Sequence, residues 1–101
     1  MQVEVLYVDG CPHWREAAGR VEDAAAALNV GIDLRFRLIS SEVEAASFAG
    51  SPTILVDGRD AFEGAAGVND LACRVYLTDS GLAGVPTVEQ LAFVLTERSH
   101  R

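Results

Sequence analysis

The sequence predicts an α/β fold built on one mixed four-stranded sheet. Segments 3–8 and 32–39 carry strand patterning, and a helical apolar stripe lies between them. A third strand-like run, 53–56, leads directly into Asp57-Gly58, the dipeptide of a tight hairpin. Strand–helix–strand favours a parallel right-handed crossover. The hairpin favours an antiparallel pair. Together they predict the order β-α-β-α-β-β-α, with helices on both faces of the sheet and an irregular or short helical insertion before the last helix.

Residues 3–8, Val-Glu-Val-Leu-Tyr-Val, are β-branched and aromatic and stop at Asp9-Gly10, a turn. From Pro12 the period changes. Trp14, Ala18, Val21, Ala25 and Leu28 recur in steps of four and three and form one helix stripe, while Arg15, Glu16, Arg20, Glu22 and Asp23 fall off it. Pro12 suits the first helical turn, where its missing N–H is not needed, and Asn29 and Gly31 mark the helix end. Residues 32–39 alternate apolar and charged, as a strand with one buried face does.

Ser41-Glu42-Val43-Glu44 reads as a capping box opening a short helix to about Phe48, which Gly50-Ser51-Pro52 ends. Residues 59–62 should return as the fourth strand. Residues 63–86 are punctuated by Gly64, Gly67, Gly81 and Gly84, and Leu71, Val75 and Tyr76 suggest a short helix carrying Cys73. Thr87-Val88-Glu89-Gln90 is a second capping box, opening a last helix with Val88, Leu91, Ala92 and Leu95 on one face. No repeat or linker divides the chain, so 1–101 reads as a single domain.

With 101 residues, half of them hydrophobic, the chain can build one core. Fifteen acidic against eight basic residues give a net charge of −7. A nucleic-acid or anionic-membrane surface would need a basic footprint, so neither is expected as a partner. No apolar run is long enough to span a membrane, and the N-terminus shows no secretory pattern. A cytoplasmic location is the default expectation.

In a reducing compartment two cysteines are inert, metal-binding or redox-active rather than a disulfide scaffold. Cys11 lies between a strand and a helix start. Free N–H groups and the positive dipole end there favour a thiolate, and His13 can add charge or exchange a proton. In a Cys-x-x-Cys pair the second cysteine would occupy position 14, where this chain has Trp14. The plainer readings are a buried inert Cys11, an exposed helix-start His13 and a Trp14 packed in the core. Cys73 is either a small hydrophobe beside Leu71 and Val75 or the thiol that resolves Cys11, a pairing that needs Cα atoms within roughly 7 Å. Two cysteines and His13 fall short of a closed zinc site. Without a phosphate-binding glycine pattern, no cofactor is expected.

Cys11-Pro12-His13-Trp14, Ser51-Pro52-Thr53 and the Asp57-Gly58 hairpin resemble the thioredoxin-like superfamily over residues 1–63 and the last helix. More narrowly, Gly10–Trp14, Gly50–Thr53 and Cys73-Arg74-Val75-Tyr76 look like small actinobacterial thioredoxin-family proteins of the type associated with alkylmercury lyase. The resemblance implies that Cys11 is the active cysteine and that Pro52 is a cis-proline facing it. It further implies that Ser51 presents its backbone to a substrate disulfide or thiol. The expected activity is thiol-based redox chemistry with Cys11 as nucleophile. Cys73 or an external thiol would resolve it, and a protein or small-molecule thiol or disulfide would be the partner. Uptake of a soft metal ion such as Hg(II) by the two thiols, and an interaction module without turnover, are the alternatives. Ordinary dithiol turnover through positions 11 and 14 is excluded, since Trp14 has no thiol.

Overall fold

The computed structural model describes residues 1–10, 13–39, 51–62, 76–79 and 81–99. Cys11, Pro12, Cys73 and the short helix expected at 41–48 lie outside the described residues. Eight elements follow in chain order: β1 (Gln2–Tyr7), α1 (Trp14–Leu28), β2 (Asp33–Leu38), β3 (Thr53–Val56), β4 (Arg59–Asp60), β5 (Tyr76–Thr78), β6 (Gly81–Ala83) and α2 (Val88–Ser99). The class is α/β. β1 to β4 form a mixed sheet in the order β2-β1-β3-β4.

β1 pairs parallel with β2, Val5 beside Phe36, and antiparallel with β3, Val5 beside Ile54. β4 returns antiparallel to β3 through Asp57-Gly58, both at positive φ (50° and 86°). Left-handed conformations at both central positions match the twist of the flanking strands, which is why Asp-Gly makes this turn. β4 is shorter than the 59–62 the sequence suggests. The Asp60 carboxylate accepts the N–H of Phe62 at 2.8 Å, and this local side-chain turn ends the ladder.

Alternation along β1 and β3 divides the apolar residues between the two sheet faces. Val3, Ile54 and Val56 meet Ala17, Val21, Ala24 and Ala25 of α1 and Leu91, Val94 and Leu95 of α2, all buried. The other face carries a smaller buried cluster of Leu6, Ile39 and Leu55. α1 presents mostly alanines inward, which lets the helix lie close to the sheet. It ends at Asn29, held left-handed at φ 56°, whose N–H turns back to the carbonyls of Ala25 and Ala26. Asparagine tolerates that conformation at a helix C-terminus.

The Thr87–Gln90 capping box is reciprocal. Gln90 N–H donates to Thr87 Oγ1 at 3.1 Å, and Thr87 N–H donates to Gln90 Oε1 at 2.8 Å. At the other end of α2, Arg98 donates to three carbonyls of the β3–β4 hairpin: Val56 (3.2 Å), Arg59 (3.3 Å) and Asp60 (2.6 Å). Arg98→Ala should therefore lower stability by about 1.5–3 kcal/mol, the usual range for hydrogen bonds to a charged group. Arg98→Lys should recover only part, because an ammonium cannot span the fork. Urea unfolding of the three proteins measures both.

Residues 76–83 correct the sequence reading. Tyr76 belongs to a strand rather than to a short helix, and β5 and β6 form a separate two-stranded hairpin. Thr78 Oγ1 donates to the Gly81 carbonyl at 2.7 Å, and Gly81 takes φ 106°, open to glycine alone without strain. The paired Leu77 and Leu82 are both about three-quarters exposed. Apolar residues facing water give no alternation, so the strand pattern is invisible in the sequence.

Candidate functional site

β1 runs into the left-handed turn at Gly10 (φ 84°), just before Cys11. α1 starts three residues after Cys11, at Trp14, with His13 as its N-cap. His13 makes no side-chain capping bond, and its carbonyl receives the Ala17 N–H at 3.0 Å. The first-turn amide of Trp14 therefore belongs to the end of the helix nearest Cys11 in sequence.

The Ser51–Pro52–Thr53 segment comes to the same end of the sheet. Leu6 opposes Thr53 in the β1–β3 ladder, so Ser51 falls beside Val8. Val8 N–H donates to Ser51 Oγ at 3.1 Å. The Ser51–Pro52 peptide bond is cis, and Ser51, Pro52 and Thr53 are all buried. The structure thus brings Ser51 and Pro52 to the end of β1, beside Val8, which precedes Cys11 by three residues.

Trp14 is half-buried rather than in the core. It stacks on Tyr7, with ring centroids 4.4 Å apart and planes 16° from parallel, and meets Phe36 edge-on at 5.5 Å. Arg15 Cζ lies 5.1 Å from the Trp14 ring centroid. Trp14 keeps one aromatic neighbour on β1 and one on β2, which holds the start of α1 to the strand ends.

Three long-range contacts complete the arrangement. The buried Tyr76 hydroxyl donates to the Pro52 carbonyl, and its ring meets Phe62 at 5.3 Å. Arg20 Nη1 donates to the Pro86 carbonyl at 2.9 Å. His13 lies against Gly84, where an added Cβ would fall 2.6 Å from His13 Cδ2 and 2.8 Å from Nε2. The β5–β6 hairpin and the segment after it therefore grip both halves of the site, the Pro52 side through Tyr76 and the His13 side through Gly84. The aromatic character of Tyr76 marks it in the sequence as a docking residue. Nothing in the sequence pairs Gly84 with His13.

Gly84→Ala should destabilise the chain by about 1–3 kcal/mol, because the methyl overpacks against a ring that must move or push the segment away. In a His13→Ala background the same change should have almost no effect. A double-mutant cycle by thermal unfolding reads the difference, and equal losses in both backgrounds would refute the contact.

Among the described residues, no group of three His, Cys, Asp or Glu side chains could hold a metal ion, and no helix is long and apolar enough to cross a membrane. Comparison with protein-family models, curated proteins and solved structures finds no match to this chain.

Proposed function

We propose that the chain is a thiol-based redox protein with a thioredoxin-like fold and Cys11 as its nucleophile. The observation that carries this reading is the Val8–Ser51 hydrogen bond in the β1–β3 register, which sets Ser51 and Pro52 against the strand that leads into Cys11. The strand order β2-β1-β3-β4, with β3 antiparallel to both of its neighbours, supports it. So does a helix beginning just after the cysteine.

The chemistry needs one activated thiol and one resolving thiol. The Cys11 thiolate attacks a sulfur of a substrate disulfide. The new Cys11–substrate S–S bond forms as the old one breaks, and the released thiolate takes a proton from water. A second thiolate, from Cys73 or an external thiol, then attacks the Cys11 sulfur and releases the remaining half of the substrate. Two thiols are oxidised to one disulfide, and one substrate disulfide becomes two thiols. Ser51, which the resemblance would have present its backbone to a substrate, is fully buried here and instead braces the strand leading to Cys11 through Val8, while half-buried Trp14, barred from resolving, supplies an aromatic wall.

Trapping tests the reading. Cys73→Ser mixed with a small aromatic disulfide should gain one mixed-disulfide adduct, and peptide mapping should put it on Cys11. No adduct on Cys11, or formation no faster than on a free cysteine peptide, would remove the nucleophile from the proposal.

A further inference from the structure

We propose that the outer edge of β2 pairs antiparallel with the same strand of a second copy of this chain, joining two four-stranded sheets into one. The inference is independent of the redox reading.

Among the described strands β2 is the terminal one of its sheet, paired on one side to β1 along all six residues. Asp33 N–H donates to Met1 O at 2.9 Å and Ile39 N–H to Tyr7 O at 2.7 Å, so the odd-numbered residues bond inward. Alternation turns the backbone groups of Leu34, Phe36 and Leu38 to the outer edge. Phe36 and Leu38 are each nearly half exposed (46% and 45%), although both are large hydrophobics. Residues 33–38 contain no proline and no lysine, and their charged side chains Asp33, Arg35 and Arg37 are engaged in ion pairs within this chain, which weakens them as guards of the edge.

Charge complementarity selects a second copy as occupant. The chain carries −7 overall, which repels an identical chain over most of its surface. The β2 edge is locally neutral. Arg35 pairs with Asp33 at 3.0 Å, and Arg37 with Glu4 of β1 at 3.5 Å. The strand reads Asp33-Leu34-Arg35-Phe36-Arg37, which complements its own reverse. Paired antiparallel about Arg35, it sets Asp33 opposite Arg37 of the second copy and Leu34 opposite Phe36 of the second copy, each contact occurring twice. That is the self-complementarity a two-fold interface requires. Leu34 and Phe36 both point their backbone groups outward, so they meet as a hydrogen-bonded pair. The two Arg35 side chains meet on the axis, each already partnered by its own Asp33.

Sedimentation equilibrium under reducing conditions, from about 10 μM to 1 mM, spans the affinities a small interface can reach. The wild-type chain should show a reversible dimer. Asp33→Arg and Arg37→Asp should each raise its dissociation constant by roughly tenfold or more, since every opposite-charge pair across the axis becomes a like pair. The two variants mixed in equal amounts should dimerise again. In the mixed dimer, positions 33 and 37 of one variant carry two positive charges and face the two negative charges of the other. Phe36→Thr, which keeps strand propensity, should also weaken the dimer. Circular dichroism of each variant checks its fold. A wild type that stays monomeric throughout overturns the proposal. So do single variants that dimerise as wild type does, and a mixture that stays monomeric while the wild type dimerises.

Discussion

Cys11→Ser should reduce the rate of disulfide exchange to that of the buffer control, a loss of at least roughly two orders of magnitude. The thiolate is the attacking species, and a serine hydroxyl is not ionised near neutral pH. The substitution exchanges one small side chain for another. Unfolding free energy should therefore change by less than about 1 kcal/mol, which separates lost chemistry from lost fold. Reduction of a small disulfide with glutathione in excess gives the rate, and urea unfolding gives the stability. Cys73→Ser should retain the glutathione-supported rate; with no external thiol it should stop at the Cys11 mixed disulfide, whereas the wild type, if Cys73 resolves, releases both halves of one substrate disulfide per chain. Full activity in Cys11→Ser, or loss in Cys73→Ser alone, would move the nucleophile away from the start of α1.

Leu91→Ala should lower stability by about 2–5 kcal/mol, the range for leucine removed from a tight core. Leu91 is 1% exposed and belongs to the cluster that joins α2, α1 and the sheet. Alanine is the best helix former, so no propensity penalty adds to the cavity. Against a typical domain stability of about 5–15 kcal/mol, the loss is a large share. Melting should drop by roughly 4–8 °C per kcal/mol at this size. The glutathione-supported exchange rate, measured well below the new midpoint, should stay near wild type, because Leu91 builds the core and supplies no group to the exchange. A melting shift of only a degree or two would mean that α2 does not close this core.

Local chemistry made part of the fold legible. The stripe Trp14, Ala18, Val21, Ala25 and Leu28 lies on α1, with Ala18, Val21 and Ala25 buried. The Thr87–Gln90 box opens α2 through two short hydrogen bonds that both lie within four residues. Asp57-Gly58 turns the chain because its two residues accept positive φ. Each signal depends on neighbours close in sequence, so a sequence can show it. The β5–β6 hairpin depended on none of these. Its exposed Leu77 and Leu82 broke the alternation, and its turn shows only in the Thr78–Gly81 bond.

The sequence by itself determined the α/β class, the mixed four-stranded sheet and both long helices. It also determined the place of Ser51-Pro52-Thr53 at the head of a strand. Periodicity and turn chemistry are properties of short segments, and they survive without tertiary context. Tertiary structure alone decided which distant groups meet: Val8 with Ser51, 43 residues apart, Tyr76 with Pro52, 24 apart, and Arg20 with Pro86, 66 apart. It likewise decided that Gly84 must leave room for His13, and that Trp14 rests between Tyr7 and Phe36 rather than in the core. Such contacts follow from how helices and strands pack once the core has closed. No spacing along the chain encodes them, because the same residues at the same intervals would meet different partners in another strand order.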